Sequence, residues 1–319
     1  MMSSIALNFQ NFKISIVAPV EHIELIKEYL PQLTCASSDS SEYEIKVIVN
    51  NNLNFIVPKN FLVKKLFSGQ TYFVWKDKQY IIGLAQASKN CARHMIRIIG
   101  KKFIIQVPDM KNMNYIICVI REILFKNLLS SGYIPMHASA VVLHDKAYCF
   151  FGAKNSGKSI CFFSAVDKGG FPLSNDLVFI KKLLNKWIVV GWPFAPSINK
   201  KFFDSDYTGS EKVKFTPKKF CDMYNTSWVW ECELKNLIFV NFQKSKEVRL
   251  EQLEPDDLRV LMQNYATEER WIWEDAFGLG EEFPKKIDYT KVSSEISGLS
   301  LTGNIFKIFE DLKKGELYV

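Results

Sequence analysis

Apolar and polar positions alternate with a period of two through much of the first hundred residues. The stretches NFKISIVAP (11–19), YEIKVIVNN (43–51), YFVWKD (72–77), QYIIGLAQ (79–86), MIRIIG (95–100) and KFIIQVP (102–108) are rich in Ile, Val, Phe and Tyr and are separated by polar clusters, which predicts strands. HIELIKEYL (22–30) carries helical spacing, and the serine-rich CASSDSSE (35–42) reads as a loop. MNYIICVIREILFKNLLS (113–130) lacks alternation and is too long for a strand, so it predicts a buried helix stopped by Gly132 and Pro135.

The pattern changes after that helix. MHASAVVLH (136–144) predicts one strand and AYCFFG (147–152) its partner, joined by a tight turn at Asp145-Lys146. Residues 158–168 predict a helix closed by Gly169-Gly170. LVFIKKL and KWIVVGW predict a hairpin around Asn185. WVWECEL (228–234) alternates as a half-buried strand, and NLIFVNF (236–242) reads as a separate buried strand. Leu258, Leu261, Met262 and Tyr265 follow Pro255 at helix spacing, and a last helix is predicted over 303–314.

The length of 319 residues suits two domains. The boundary expected is between an N-terminal α+β domain, 1–110, with an accessory or substrate-recognition role, and a domain of 111–319. Apolar residues make up 48% of the chain and charged ones 24%, enough apolar mass for a packed core. Forty-one Lys and Arg stand against 34 Asp and Glu, a net charge of +7. The basic residues are scattered. Their densest stretches, 199–201 and 212–219, read as solvated surface rather than a nucleic-acid site, with an acidic peptide as the partner such surface could grip. The seven cysteines form no CxxC pair and several lie in apolar runs, which suits buried thiols in a reducing compartment. No leader pattern opens the chain and no apolar run reaches the length of a membrane span, so a cytoplasmic location is expected, with no membrane or nucleic-acid partner.

One stretch carries chemistry. Gly152-Ala153-Lys154-Asn155-Ser156-Gly157-Lys158-Ser159 fits G-x-x-x-x-G-K-[ST] between a predicted strand and a predicted helix. Glycines let the backbone curl so that N–H groups point at phosphate oxygens. The helix start, through Ile160, adds its free N–H groups and dipole. Lys158 neutralises phosphate charge and stands in water until phosphate arrives, and the Ser159 hydroxyl suits Mg²⁺. An acidic partner is needed. NLIFVNF ends in Asn241, so Asp176 of FPLSNDLVFI is the better candidate. His137, fifteen positions before Gly152, starts the partner strand of the hairpin and so comes near the loop. His144 belongs at the hairpin's far end.

Together MHASAVV, GAKNSGKS and GGFPLSNDLVFI resemble the HPr kinase/phosphorylase family over about residues 113–182, and KNLIFVNF…VRLEQLEPDDLRVLMQ looks like the kinases of lasso-peptide biosynthesis within it. The resemblance implies an α/β P-loop kinase domain with a mixed sheet and flanking helices. It implies that residues 152–160 bind ATP or GTP, that Ser159, Asp176 and Asn175 hold Mg²⁺, and that Asp176 orients or deprotonates the acceptor while His137 contacts it. The acceptor implied is a serine on a peptide or small protein, of which a ribosomal precursor peptide is the narrowest case. A small-molecule acceptor and a non-catalytic nucleotide-binding regulator remain open, as does the oligomeric state. The family's Asp-Asp pair is Asn175-Asp176 here, and its phosphorylase signature near the C-terminus is not recognisable.

Overall fold

The structure, a computed structural model, describes residues 1–9, 12–31, 33–35, 41–50, 56–66, 70–85, 93–109, 113–192, 195–200, 203, 208–209, 211–243, 247–267, 277–279 and 287–303. The chain divides into two compact units, Met1–Ser131 with Arg270–Phe283, and Gly132–Glu269 with Pro284–Val319. The division falls after the helix that the sequence assigns to the second domain. That helix packs on the first unit.

The first unit contains β1 (Met2–Phe9), β2 (Phe12–Pro19), α1 (Val20–Tyr29), β3 (Thr34–Cys35), β4 (Tyr43–Val49), β5 (Leu62–Lys65), β6 (Thr71–Asp77), β7 (Tyr80–Ala85), β8 (His94–Ile99), β9 (Lys102–Val107) and α2 (Tyr115–Ser130). Its nine strands form one mixed sheet in the order β3-β1-β2-β4-β9-β8-β7-β6-β5, with β2, β4 and β9 parallel. α2 is apolar on most sides because it is buried on most sides. Its Tyr115 hydroxyl bonds His22 Nε2 on α1, and His22 is fully buried. His22 Nδ1 has no partner among the described residues.

Burial pushes the His22 imidazole down to about 4, opposed by the nearby Glu21 charge. Its unfolded form titrates near 6.5, so between pH 6.5 and 4 the unfolded chain binds more protons at this site. Stability is therefore unaffected by His22 above pH 6.5 and is lost as pH falls towards 4. The expected result is a melting temperature that drops by several degrees through that window. In His22→Gln, which keeps a polar group but does not titrate, that part of the slope should vanish.

The second unit contains β10 (Ile134–Met136), β11 (Ala138–Leu143), β12 (Lys146–Phe151), α3 (Lys158–Asp167), β13 (Phe171–Ser174), β14 (Val178–Leu183), β15 (Lys186–Gly191), β16 (Ser197–Asn199), β17 (Lys212–Lys214), α4 (Pro217–Tyr224), β18 (Glu231–Phe242), β19 (Arg249–Leu253), α5 (Pro255–Tyr265), α6 (Thr290–Glu295) and β20 (Ser297–Gly303). Its large sheet is also mixed, in the order β10-β14-β15-β18-β12-β11-β13, with β20 on β18 and β19 on β20. β18 pairs parallel with both β12 and β20, and β16–β17 is a separate two-stranded ribbon.

β12 reads as a continuous apolar run because both of its faces are covered. Cys149 and Phe151 pack with Leu258 and Met262 of α5 and Val292 of α6. Phe150, between them, packs with Cys161, Phe162 and Phe163 of α3. Burial pushes the Cys149 and Cys161 thiols up, so they behave as small apolar groups.

Several expectations are corrected. MHASAVVLH is broken at His137, because Met136 pairs with Val178 while Ala138 pairs with Phe151. The hairpin turn is His144-Asp145, one residue earlier than predicted; both have positive φ (48° and 60°), as a two-residue I′-type turn requires. The two predicted strands of 228–242 are one strand, β18, which begins after Trp230. The basic stretch 212–219 is β17 and the start of α4, with its four lysines exposed, in line with the surface expected there. The predicted helix 303–314 lies outside the described residues except Gly303, which ends β20. Part of the predicted loop 35–42 also lies outside them. Among the described residues no helix is long and apolar enough to cross a membrane.

Candidate active site

β12 delivers the chain to Gly152 at the carboxyl ends of three parallel strands, where open α/β sheets present ligand sites. Gly152 has φ 148°, and a Cβ there would lie 2.6 Å from the Val240 carbonyl and 2.9 Å from Ser156 Oγ. Only glycine fits so close to the neighbouring strand β18. The same strand clamps the loop's other limb, since Phe242 N–H donates to the Ser156 carbonyl at 2.9 Å. Asn155 has φ 66° and Gly157 φ 107°, both left-handed, and Ser156 N–H closes a turn onto the Ala153 carbonyl at 3.1 Å.

Gly157 is the N-cap of α3 and brings no side chain to cap it. The helix therefore begins with uncapped N–H groups and the positive end of its dipole facing the curled loop. Ser156 Oγ is buried and has no partner among the described residues. Ala153, Lys154 and Asn155 are exposed, while Ser159 and Ile160 are half-buried in the first turn.

Lys158 is not solvated as the sequence predicts. Its Nζ donates to the Gly152 carbonyl at 2.8 Å and the Ala153 carbonyl at 3.0 Å, so the ammonium folds back over its own loop. Burial pushes its pKa down to about 8, partly offset by the Asp176 carboxylate and reinforced by the charge of Lys212. A partly desolvated cation with one carboxylate nearby is suited to accepting an anion.

His137 sits in the gap between β10 and β11, its N–H held by the Ala266 carbonyl at 2.7 Å. The register Ala138↔Phe151 sets it opposite Gly152, as the hairpin argument requires. Its Nε2 lies 3.4 Å from Asp176 Oδ1. Asp176 is in the turn between β13 and β14, and its side chain is 42% exposed, so a solvent-borne hydroxyl can reach it. His137, Asp176 and Lys158 are thus brought together, while His144 stands at the opposite end of the hairpin.

Asn175 is buried. Its Nδ2 donates to the Ser197 carbonyl at 3.2 Å, tying the β13–β14 turn to the β16 ribbon strand. The acceptor fixes the amide's orientation, and Oδ1 is left without a partner among the described residues. An aspartate could not make the Ser197 bond, which is a physical reason for the amide here. Asn175→Asp would set two oxygens against each other. We expect it to lower stability by roughly 1–3 kcal/mol; unchanged melting would show that the tie contributes nothing.

Sequence reasoning missed Ser139, whose hydroxyl donates to the Lys158 carbonyl at 2.9 Å and pins the first turn of α3 to β11. Its position two after His137, on the same face of the strand that the sequence predicts, is the available signal. The ribbon residues Ser197 and Lys212 had no motif to reveal them. Asn241, at the carboxyl end of β18, occupies the neighbouring parallel strand where an acid was sought.

No family model matches the sequence, and no curated protein matches it. Among solved structures the chain is similar to the Hpr(Ser) kinase/phosphatase from Coxiella burnetii, at 13% identity and a TM-score of 0.32, over 57% of this chain and 92% of that one. That likeness is distant, and the roles of individual residues rest on the geometry above.

Proposed function

We propose that this chain is an ATP- and Mg²⁺-dependent kinase that transfers the γ-phosphoryl group to a serine hydroxyl of a peptide or small protein. The observation that carries the reading is the glycine-bounded loop between β12 and α3, with Lys158 folded over it and the Asp176–His137 pair beside it. The loop N–H groups and the start of α3 bind the β- and γ-phosphates. Lys158 exchanges its two carbonyl partners for phosphate oxygens.

Ser159, Asp176 and Asn175 are the oxygen donors suited to Mg²⁺, and the unpartnered Asn175 Oδ1 is the acceptor that fits it. When bound, the ion supplies neutralisation of charge on the phosphate oxygens. Asp176 orients the acceptor hydroxyl. As the new O–P bond forms and the bond to the β-phosphate oxygen breaks, Asp176 takes the hydroxyl proton and the nucleoside diphosphate leaves. His137 holds Asp176 in place. A precursor peptide of natural-product biosynthesis is the narrowest acceptor within this reading.

A second reading, a nucleotide-binding regulator without transfer, is favoured by two amides, Asn175 and Asn241, at positions suited to carboxylates. The deciding experiment is mass spectrometry after incubation with Mg-ATP and pools of serine peptides or free serine. Phosphoserine in a peptide supports the first reading. Label only in free serine makes the acceptor a small molecule, and bound nucleotide with no transfer to any acceptor makes the chain a regulator.

A further inference from the structure

β16 and β17 form an antiparallel ribbon with register Ser197↔Lys214, Ile198↔Val213 and Asn199↔Lys212. Backbone bonds from Lys200 N–H to the Glu211 carbonyl and from Phe215 N–H to the Pro196 carbonyl, both 2.9 Å, extend that register at its two ends. Antiparallel pairs alternate between bonded and non-bonded. The bonded pairs are therefore Pro196–Phe215, Ile198–Val213 and Lys200–Glu211. The backbone N–H and C=O groups of Ser197, Asn199, Lys212 and Lys214 point outward, to the ribbon's two edges. On the β16 edge, the Ser197 carbonyl fits this phase, since it accepts from the Asn175 amide at 3.2 Å. That bond ties the ribbon to the turn that carries Asp176. On the β17 edge, the outward groups of Lys212 and Lys214 have no backbone partner among the described residues. An open strand edge is a template for a further strand.

The ribbon's two faces differ. Ile198 is buried in the cluster that holds Phe162 and Phe163 of α3, and its partner Val213 is half-buried, so this face is turned inward. Lys212 and Lys214 stand on the opposite face. Both are exposed, and among the described residues no carboxylate pairs with either. Opposite charges across a strand pair stabilise it, and like charges directly opposite destabilise it. A strand laid along this edge is therefore favoured when it carries carboxylates at alternate positions.

We propose that the open edge of β17 docks the acceptor peptide as an added strand, through an extended segment whose alternate acidic side chains face Lys212 and Lys214. The proposal rests on the kinase reading and names the class of its acceptor, a peptide with an acidic extended stretch beside its serine. Main-chain bonds to the edge supply affinity, and the two lysines select the side chains. The added strand lies two strand spacings, about 10 Å, from β16, which the Asp176 turn holds through Asn175. A few extended residues, at about 3.3 Å each, cover that distance and bring the serine towards the carboxylate.

The test is fluorescence anisotropy of a labelled synthetic peptide, with one serine and with glutamate at alternate positions, titrated with the full chain in the absence of nucleotide. We expect saturable binding, weaker by at least about tenfold when lysine replaces each glutamate. The chain carrying both Lys212→Glu and Lys214→Glu should lose a similar factor. Lys235→Glu, an exposed lysine at the end of β18 remote from the loop, should change the affinity by less than about threefold. N-methylated peptides test the wild-type chain itself, so the answer does not depend on how the variants fold. Only alternate N–H groups of an added strand face β17. Methylating every second amide should therefore abolish binding in one phase and spare it in the other. Equal effects in both phases, no preference for glutamate, or full affinity in a folded chain with both substitutions would each overturn the docking edge. A peptide that docks as expected and gains no phosphate from Mg-ATP would instead remove the kinase reading and leave the edge a peptide site.

Discussion

Lys158→Ala is expected to lower nucleotide affinity by about a hundredfold or more while leaving the protein folded. The ammonium is held against the curled loop by the Gly152 and Ala153 carbonyls, beside the uncapped start of α3. Removing it takes away the charge-assisted contacts that a polyphosphate would make. The cost to the fold is small because two effects oppose each other. The Gly152 and Ala153 carbonyls lose a donor, worth about 1 kcal/mol each at most where water can replace it. Against that, a partly desolvated ammonium and its repulsion with Lys212 disappear. Melting without nucleotide should therefore stay close to the wild type, while the rise on adding Mg-ATP should be lost. A variant with full nucleotide-dependent stabilisation would remove Lys158 from the phosphate site.

Asp176→Asn is expected to reduce phosphoryl transfer by roughly a hundred- to a thousandfold while changing ATP affinity only a few-fold. The asparagine keeps the size and much of the polarity of the side chain but has no proton-accepting oxygen of comparable basicity. Asp176 is exposed enough to meet an acceptor, and the 3.4 Å approach of His137 Nε2 holds it on the loop side of the β13–β14 turn. Parallel measurement of nucleotide affinity and transfer rate separates the two roles. If both fall together, Asp176 serves the metal alone and another group handles the proton.

The curled, glycine-bounded loop was readable in the sequence because its geometry is local. Glycine at 152 and 157 and a strand-then-helix context follow from steric rules that act over a few residues. The His137–Gly152 juxtaposition was also readable, since a hairpin's register relates its two ends. The turn lies one residue before the expected Asp145-Lys146 because His144 takes its first left-handed site and Lys146 pairs with Leu143.

β18 was divided because Lys235 and Asn236 interrupt its apolar pattern. Asn236 is in fact buried in the sheet, where paired strands on both sides satisfy its backbone. β1 was missed because its first residues, Met2-Ser3-Ser4, carry no alternation, and its place in the sheet comes from pairing with β2. The ribbon could not be read, and Lys212 was visible only as part of a basic stretch. Their relation to the loop depends on Ile198 packing under α3 and on one side-chain amide, contacts between segments far apart in the chain. Asn175, which in the sequence looked like a weakened acid, has in the structure a donor's task that an acid cannot perform.

The most direct measurement of the central claim is a calorimetric titration of ATP, with Mg²⁺, into the wild-type chain and into Lys158→Ala. The account predicts saturable binding of one nucleotide per chain in the wild type and no measurable heat of binding in the variant. No binding to the wild type, or the same affinity in both proteins, would contradict it.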